Sequence, residues 1–205
     1  MRLHSRLATA ALLALSASLA DAAGVTTLTF EGASGFLDTY YAGGTDSNGH
    51  SGPKLDVSFT LGIAVTDSKG GNAYGPPLDN VPSATTVLEQ RGTTMTINKP
   101  SGFKGGFALA FASETSQGTV NVYSDADGGG KLLASFALTG EAQCPDAPVG
   151  SYYCNWQAAG VAFKGVAKSV TITVTDELRI FYDNLTFGAA VPVLGTDASV
   201  KALLG

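Results

Sequence analysis

The amino-acid sequence predicts an all-β fold, a two-sheet antiparallel β-sandwich of jelly-roll-like topology. Three observations predict it. Apolar residues recur at every second position through most of the chain. Segments rich in Gly, Pro, Asp and Asn separate these runs. The 3.6-residue periodicity of amphipathic helices is almost absent beyond the first 22 residues. Half-buried strands of this kind close a core by packing two sheets face to face.

Residues 1–22 stand apart. Arg2 and Arg6 precede the apolar run "LATAALLALSASLA", and "ADA" supplies small residues for cleavage, so a secretory signal ending at Ala22 is expected. The run is short of the ~20 apolar residues of a membrane span, and no basic cluster follows it. About 180 residues then remain, a length suited to one domain. The division expected is signal 1–22, sandwich domain 23–188 and a tail or extra edge segment at 189–205. The formal charge is −5 for the whole chain, and loss of the signal leaves 10 basic against 16 acidic residues, or −6. Such a balance disfavours nucleic acid or anionic lipid as partners and leaves neutral glycans and divalent cations.

The elements follow in order. "TTLTF" (26–30) is a short strand. "LDVSFTLGIAV" (55–65) reads as one strand with Leu55, Val57, Phe59, Leu61, Ile63 and Val65 inward. "TMTIN" (94–98) is short, and "NKPSG" (98–102) reads as a loop before "FALAF", which aligns Phe107, Leu109 and Phe111. "TVNVY" buries Val120 and Val122, and "SDADGGGK" (124–131) is a glycine-rich hairpin tip. "LLASFAL" aligns Leu132, Ala134, Phe136 and Leu138, and "SVTITVT" aligns Val170, Ile172 and Val174. Finally "FYDNLTFG" (181–188) puts Asp183 in line with Phe181, Leu185 and Phe187. Cys144 and Cys154, an even pair around a short loop of an exported chain, are expected to form a disulfide contributing roughly 2–3 kcal/mol.

Taken in order, "LTFEG", "YYAGGTDSNGHSGPKLDVSFTLGIAV", "GFKGGFALAFAS", "VNVYSDADGGGKLLASFAL", the loop ending in "CNW", "VAFKGVAKSVTITV" and "FYDNLTFG" resemble the exported bacterial β-sandwich proteins that commonly carry a PEP-CTERM sorting tail. The resemblance implies a surface or exopolysaccharide-associated protein with no assigned reaction. The end, "AAVPVLGTDASVKALLG", lacks the Pro-Glu-Pro triplet, the apolar helix and the terminal arginines, so simple secretion is expected.

Asp183 is the first candidate for chemistry, because an inward carboxylate must be paired, hydrogen-bonded, protonated or metal-bound. Were the first and last strands adjacent, Glu31 would approach it, and Asp46 and Asn48 of "GGTDSNG" could add oxygen donors for a structural Ca²⁺. Carbohydrate-binding jelly rolls, which the sequence resembles in outline, often hold such an ion. The other reading is that Asp183 caps backbone N–H groups or pairs with Arg179 or a lysine. For ligand contact, Tyr40, Tyr41 and His50 in one region and Tyr153 with Asn155 in another are the candidate exposed groups, whereas Trp156 is expected in the core beside the disulfide.

Catalytic signals are missing. His50 is the sole histidine after the signal, and neither G-x-S-x-G nor H-E-x-x-H occurs. The expectation is a non-catalytic, secreted, carbohydrate-associated binding protein. The alternatives are a self-associating structural subunit and, third, a polysaccharide hydrolase.

Overall fold

The computed structural model describes residues 24–66, 78–113, 116–140, 153–176 and 180–193. It is all-β among these residues, with ten strands joined in antiparallel pairs. They are β1 (Thr26–Leu28), β2 (Gly35–Phe36), β3 (Ser58–Thr60), β4 (Gly62–Thr66), β5 (Thr86–Gln90), β6 (Thr94–Ser113), β7 (Gln117–Tyr123), β8 (Leu132–Thr139), β9 (Gln157–Val174) and β10 (Ile180–Phe187). No helix among the described residues is long and apolar enough to cross a membrane.

The hydrogen-bonded path runs β2-β4-β5-β10-β6-β9-β7-β8, with β1 added to β10 and β3 to β6. It makes two layers because β6 and β9 are long enough to serve both. The first part of β6 pairs with β3 and with the last part of β9, and its second part pairs with β10 and the first part of β9. The register shifts between Asn98 and Gly105, where β6 passes from one layer to the other. Strands that switch sheets at bulges are the usual corners of sandwiches. The predicted "NKPSG" loop is therefore a bend inside a strand. Pro100 has no N–H to donate and is tolerated there for that reason.

Between the layers lies the main core. Phe107, Leu109, Phe111, Tyr182, Leu185 and Phe187 enter it from one side, and Met95, Ile97, Val120, Val122, Val170 and Ile172 from the other. The predicted inward faces of "FALAF", "TVNVY" and "SVTITVT" all point there. In "LLASFAL" the alternation holds at Leu138, while Leu132 at the strand start is 49% exposed.

A second apolar cluster lies on the other side of β10. Leu78, Val81, Val87, Ala110, Ala112, Tyr153, Trp156 and Phe181 form it. Leu78 bridges to Tyr153, and the Trp156 indole donates to the Asp79 carbonyl at 3.0 Å, so two loop segments are tied over the strand. Trp156 is in a core, as expected. Cys154 carries no free thiol, while Cys144, its expected partner, lies outside the described residues. So does the expected signal at 1–22.

Two further predicted face assignments fail, each at a residue with positive φ. Leu61 (φ 62°) interrupts "LDVSFTLGIAV", so β3 joins one layer and β4 the other. Ala64 then points into the main core, and Leu61 itself is 45% exposed. In β10, Asn184 (φ 48°) forms a bulge, since Asp183 faces Ala110 and Thr186 faces Ala108. One extra residue reverses the alternation. Phe181 lies in the second cluster, whereas Leu185 and Phe187 enter the main core with Tyr182.

Beyond β10 the chain turns over a sheet face rather than extending an edge. A Cβ on Gly106 would collide with the backbone of Ala189 and Ala190, so glycine is what admits this crossing. Val193 N–H donates to the Thr186 hydroxyl at 3.0 Å. Residues 194–205 lie outside the described residues.

The left-handed backbone at Leu61 costs a non-glycine residue about 1 kcal/mol. Leu61→Gly is expected to leave the fold intact and shift the thermal midpoint upward by a few degrees, for about 0.5–1 kcal/mol. A lowered midpoint in a thermal melt would contradict the strain.

Candidate functional site

Asp183 sits at the β10 bulge with no exposed surface. The pairing of β1 with β10 does bring the segment after β1 towards it, as the sequence suggested. Its partners come from the segment before β5. Ser83 donates its N–H at 2.7 Å and its hydroxyl lies 2.7 and 2.8 Å from the two carboxyl oxygens. The Asn184 N–H donates at 2.7 Å. The expected alternative of backbone capping describes this arrangement.

The same Ser83 oxygen is 3.0 Å from the Thr29 carbonyl. A hydroxyl has one proton to give, and three acceptors surround it. A protonated Asp183 resolves the shortage: its O–H donates to Ser83 Oγ, and Ser83 donates to Thr29. Burial pushes the Asp183 pKa up to about 8, although the bonds from Ser83 and Asn184 pull it down; the nearby Glu31 carboxylate adds to the rise. Glu31 itself does not bond Asp183. Its Oε1 accepts from the N–H groups of Thr85 and Thr86 at 3.0 and 2.8 Å.

Asp46 anchors a separate network. Its Oδ1 accepts from the N–H groups of Asn48 and His50 at 3.0 and 2.9 Å. Its Oδ2 accepts from Ser34 N–H at 2.8 Å and meets the His50 ring Nδ1 at 2.9 Å. Burial opposes the charge, but the bonds from His50, Ser34 and Asn48 outweigh it and hold the carboxyl below the usual range. All its lone pairs are engaged by the protein, so Asp46 organises the loop.

The expected Ca²⁺ set does not assemble. Asp46 and Asn48 meet at Ser34, whereas Asp183 is held by Ser83 and Glu31 by Thr85 and Thr86. Among the described residues, no group of three or more His, Cys, Asp or Glu side chains converges as a metal site. A Ca²⁺ ion needs six to eight converging oxygens, and these residues do not fit it.

The expected exposed tyrosines are also corrected. Tyr40 and Tyr41 are each 5% exposed, stacked edge to face at 5.0 Å, and Tyr41 packs on Phe30 and Phe59. Tyr153 packs on Phe181 at 4.7 Å. Their rings fill space between loop and sheet and have no free face for a ligand. Asn155 is exposed, between a half-buried Cys154 and a buried Trp156.

What the loop does present is a corner that the sequence reading missed. Phe36, in edge strand β2, is 43% exposed. Among the described residues no other aromatic side chain is in the exposed class. Its N–H donates to the Ser47 hydroxyl at 2.9 Å, and its carbonyl accepts the Ser47 N–H at 3.0 Å. Asn48 Nδ2 donates to the Ser34 hydroxyl at 2.9 Å. Gly35 (φ 81°) lets the loop lie against β2, because a Cβ there would strike the Ser47 hydroxyl. The loop that exposes Ser47, Asn48 and His50 therefore holds the backbone of the exposed Phe36. A His50 whose Nδ1 is held by Asp46 keeps Nε2 for another partner. The one sequence sign was a phenylalanine in "SGFLD", outside any alternating run.

No protein-family model and no curated protein matches the chain. Solved structures are similar to it at low identity. The K1 cleaved adhesin domain of Lys-gingipain from Porphyromonas gingivalis W83 is similar with a TM-score of 0.46 and 14% identity, covering 80% of this chain and 98% of that domain. A family 6 carbohydrate-binding module is similar with a TM-score of 0.37 and 11% identity, covering 64% of this chain and 86% of the module. The module CBM6cm-2 from Cellvibrio mixtus lichenase 5A, determined in complex with cellotriose, gives 0.34 and 10%, covering 63% and 87%.

Asp183 generates a pH dependence of definite sign. Its folded pKa lies above the unfolded value near 3.9, so between about pH 4 and pH 8 the folded state holds a proton that the unfolded chain releases. This contribution is complete below pH ~4 and declines as pH rises through about 8, by at most ~1.4 kcal/mol per unit. Asp183→Asn is expected to flatten that slope in urea melts across the range. An unchanged slope would remove the protonated carboxyl from the account.

Proposed function

We propose that the chain is a non-catalytic, secreted binding module whose ligand contact is the corner formed by Phe36 and the loop 44–52, and that the ligand is a neutral carbohydrate. The observation that carries the reading is the exposed Phe36 side chain, whose backbone is held by two hydrogen bonds to Ser47 of the loop that also exposes Asn48 and His50. Sugar rings pair an apolar C–H face with a rim of hydroxyls, and such a ligand needs a flat ring with donors and acceptors at its border. The Asp46 network supports this by holding the loop in one shape before binding, which lowers the ordering cost. The acidic overall charge agrees with an uncharged ligand rather than a polyanion. Secretion and cell-surface placement rest on the leader-like residues 1–22.

The test is titration of full-length protein with soluble neutral oligosaccharides, screened on a glycan array. Phe36→Ala is expected to weaken binding roughly tenfold, about 1.4 kcal/mol, with an unchanged melting curve. An array with no binder, or a Phe36→Ala protein that binds as well as the parent, would reject this site.

A second reading, self-association, has one specific observation in its favour. β8 ends the hydrogen-bonded path, carries no charged residue over Leu132–Thr139, and exposes Leu132. Charges and prolines normally guard such an edge. Light scattering of the parent and of Ser135→Lys is expected to show association in the first alone; two monomers would dismiss this reading.

A further inference from the structure

Strand pairing aligns four side chains on the outward face of the layer that holds β10. Phe36 of β2 stands opposite Ile63 of β4, Ile63 opposite Glu89 of β5, and Glu89 opposite Phe181 of β10. Directly paired residues share a face of the sheet. Their chain neighbours Ala64 and Leu88 point the other way, into the main core. The row starts in the open and ends under the cover: Phe36 is exposed, Ile63 is half-buried, and Phe181 is buried against Tyr153. Glu89 stands at the border between the two. Its side chain is 9% exposed, and its Oε2 lies 3.0 Å from a guanidinium nitrogen of Arg91. Arg91, two residues further along the chain, shares that face, and its side chain is 41% exposed. Glu89 Oε1 has no hydrogen-bond partner among the described residues.

A carboxylate so enclosed and only half-satisfied is costly. Burial raises its pKa, and the Arg91 charge opposes the rise. An ion pair that serves stability alone stands in the open or has all its oxygens bonded. To a ligand the pair offers one acceptor, Oε1, beside a guanidinium that carries five N–H donors. The two charges cancel locally, so neither a free anion nor a free cation is favoured. A neutral molecule with two adjacent hydroxyls matches both groups: one hydroxyl donates to Oε1, and its neighbour accepts from Arg91. Between this pair and Phe36 lies Ile63, which calls for C–H surface in the same molecule. Adjacent hydroxyls on a rim and C–H groups on a face belong together in a sugar ring. Glu89 is two strands from Phe36, about 10 Å, which is farther than one such ring extends.

We propose that Glu89 and Arg91 form a second sugar subsite, which reads two adjacent hydroxyls of a glycan whose neighbouring ring rests on Phe36. The proposal builds on the carbohydrate reading of the Phe36 corner. It adds that the ligand is at least two rings long, crosses β4 and leaves that diol unsubstituted. The experiment is calorimetric titration of the full chain with cello-, manno- and xylo-oligosaccharides of one to four rings. In the series that binds, affinity is expected to rise roughly tenfold from one ring to two or three. Arg91→Met keeps the aliphatic length without the donors, and Glu89→Gln keeps the shape without the charge. Each is expected to abolish that gain and leave one-ring affinity unchanged, whereas Phe36→Ala weakens every length. Should Glu89→Gln fail to fold, Arg91→Met decides, since its side chain reaches solvent. Mannitol, which has adjacent hydroxyls but no ring, is expected not to compete; competition would overturn the sugar ring in favour of an open polyol. Equal affinity at all lengths, or an undiminished gain in the folded variants, would overturn the second subsite and leave the Phe36 corner standing. No binding in any series would overturn both.

Discussion

The bulge in β10 is the constraint on which the rest of the structure depends. This strand has no exposed residue from Ile180 to Phe187, because a core lies against each of its faces. Strict alternation could fill only one of them with the large side chains available. One extra residue at Asn184 divides the set, sending Phe181 to the cover and Leu185 and Phe187 to the space between the layers. The carboxylate at the turning point is then enclosed, and Ser83 and the bulge backbone together give it partners. Asp183 is therefore the peg that joins the cover, β10 and the segment after β1. Its protonation answers a hydrogen shortage at Ser83 Oγ more directly than a metal would.

The same economy explains the division of labour between the two carboxylates in the loops and strands. Asp46 is saturated by four donors and stays charged, and Asp183 is enclosed and tends to neutrality. Neither has spare capacity for a ligand. What these two anchors position differs: the solvent-facing Phe36 corner in one case, and the buried central strand β10 in the other.

Much of the architecture was legible in the residues. Wherever a strand keeps a period of two without interruption, as in 107–111, 119–123 and 169–175, the inward set read from the sequence is the inward set observed. The failures fall where the backbone leaves that period. A leucine with positive φ at 61 gives no compositional sign, since glycine is the residue expected there and it stands one place later. Asn184 did offer a hint, because asparagine tolerates the left-handed region better than most residues. The proline bend in β6 looked like a loop because proline usually ends a strand, and only the pairing with β9 on both sides reveals its continuity. Tyr40 and Tyr41 lie in an irregular segment where no periodicity distinguishes a packed ring from an exposed one. For the same reason Phe36 passed unnoticed, although it stands nearest to solvent.

The order of strands in space has a consequence for how this chain acquires its shape. The final strand occupies the slot between β5 and β6 and also completes the pairing of β1, so the middle of one layer stays open until the C-terminal part of the domain has emerged. Contacts of such long sequence separation close slowly. A polypeptide that cannot seal this layer before β10 arrives keeps its apolar strand faces uncovered for most of the time it is being made.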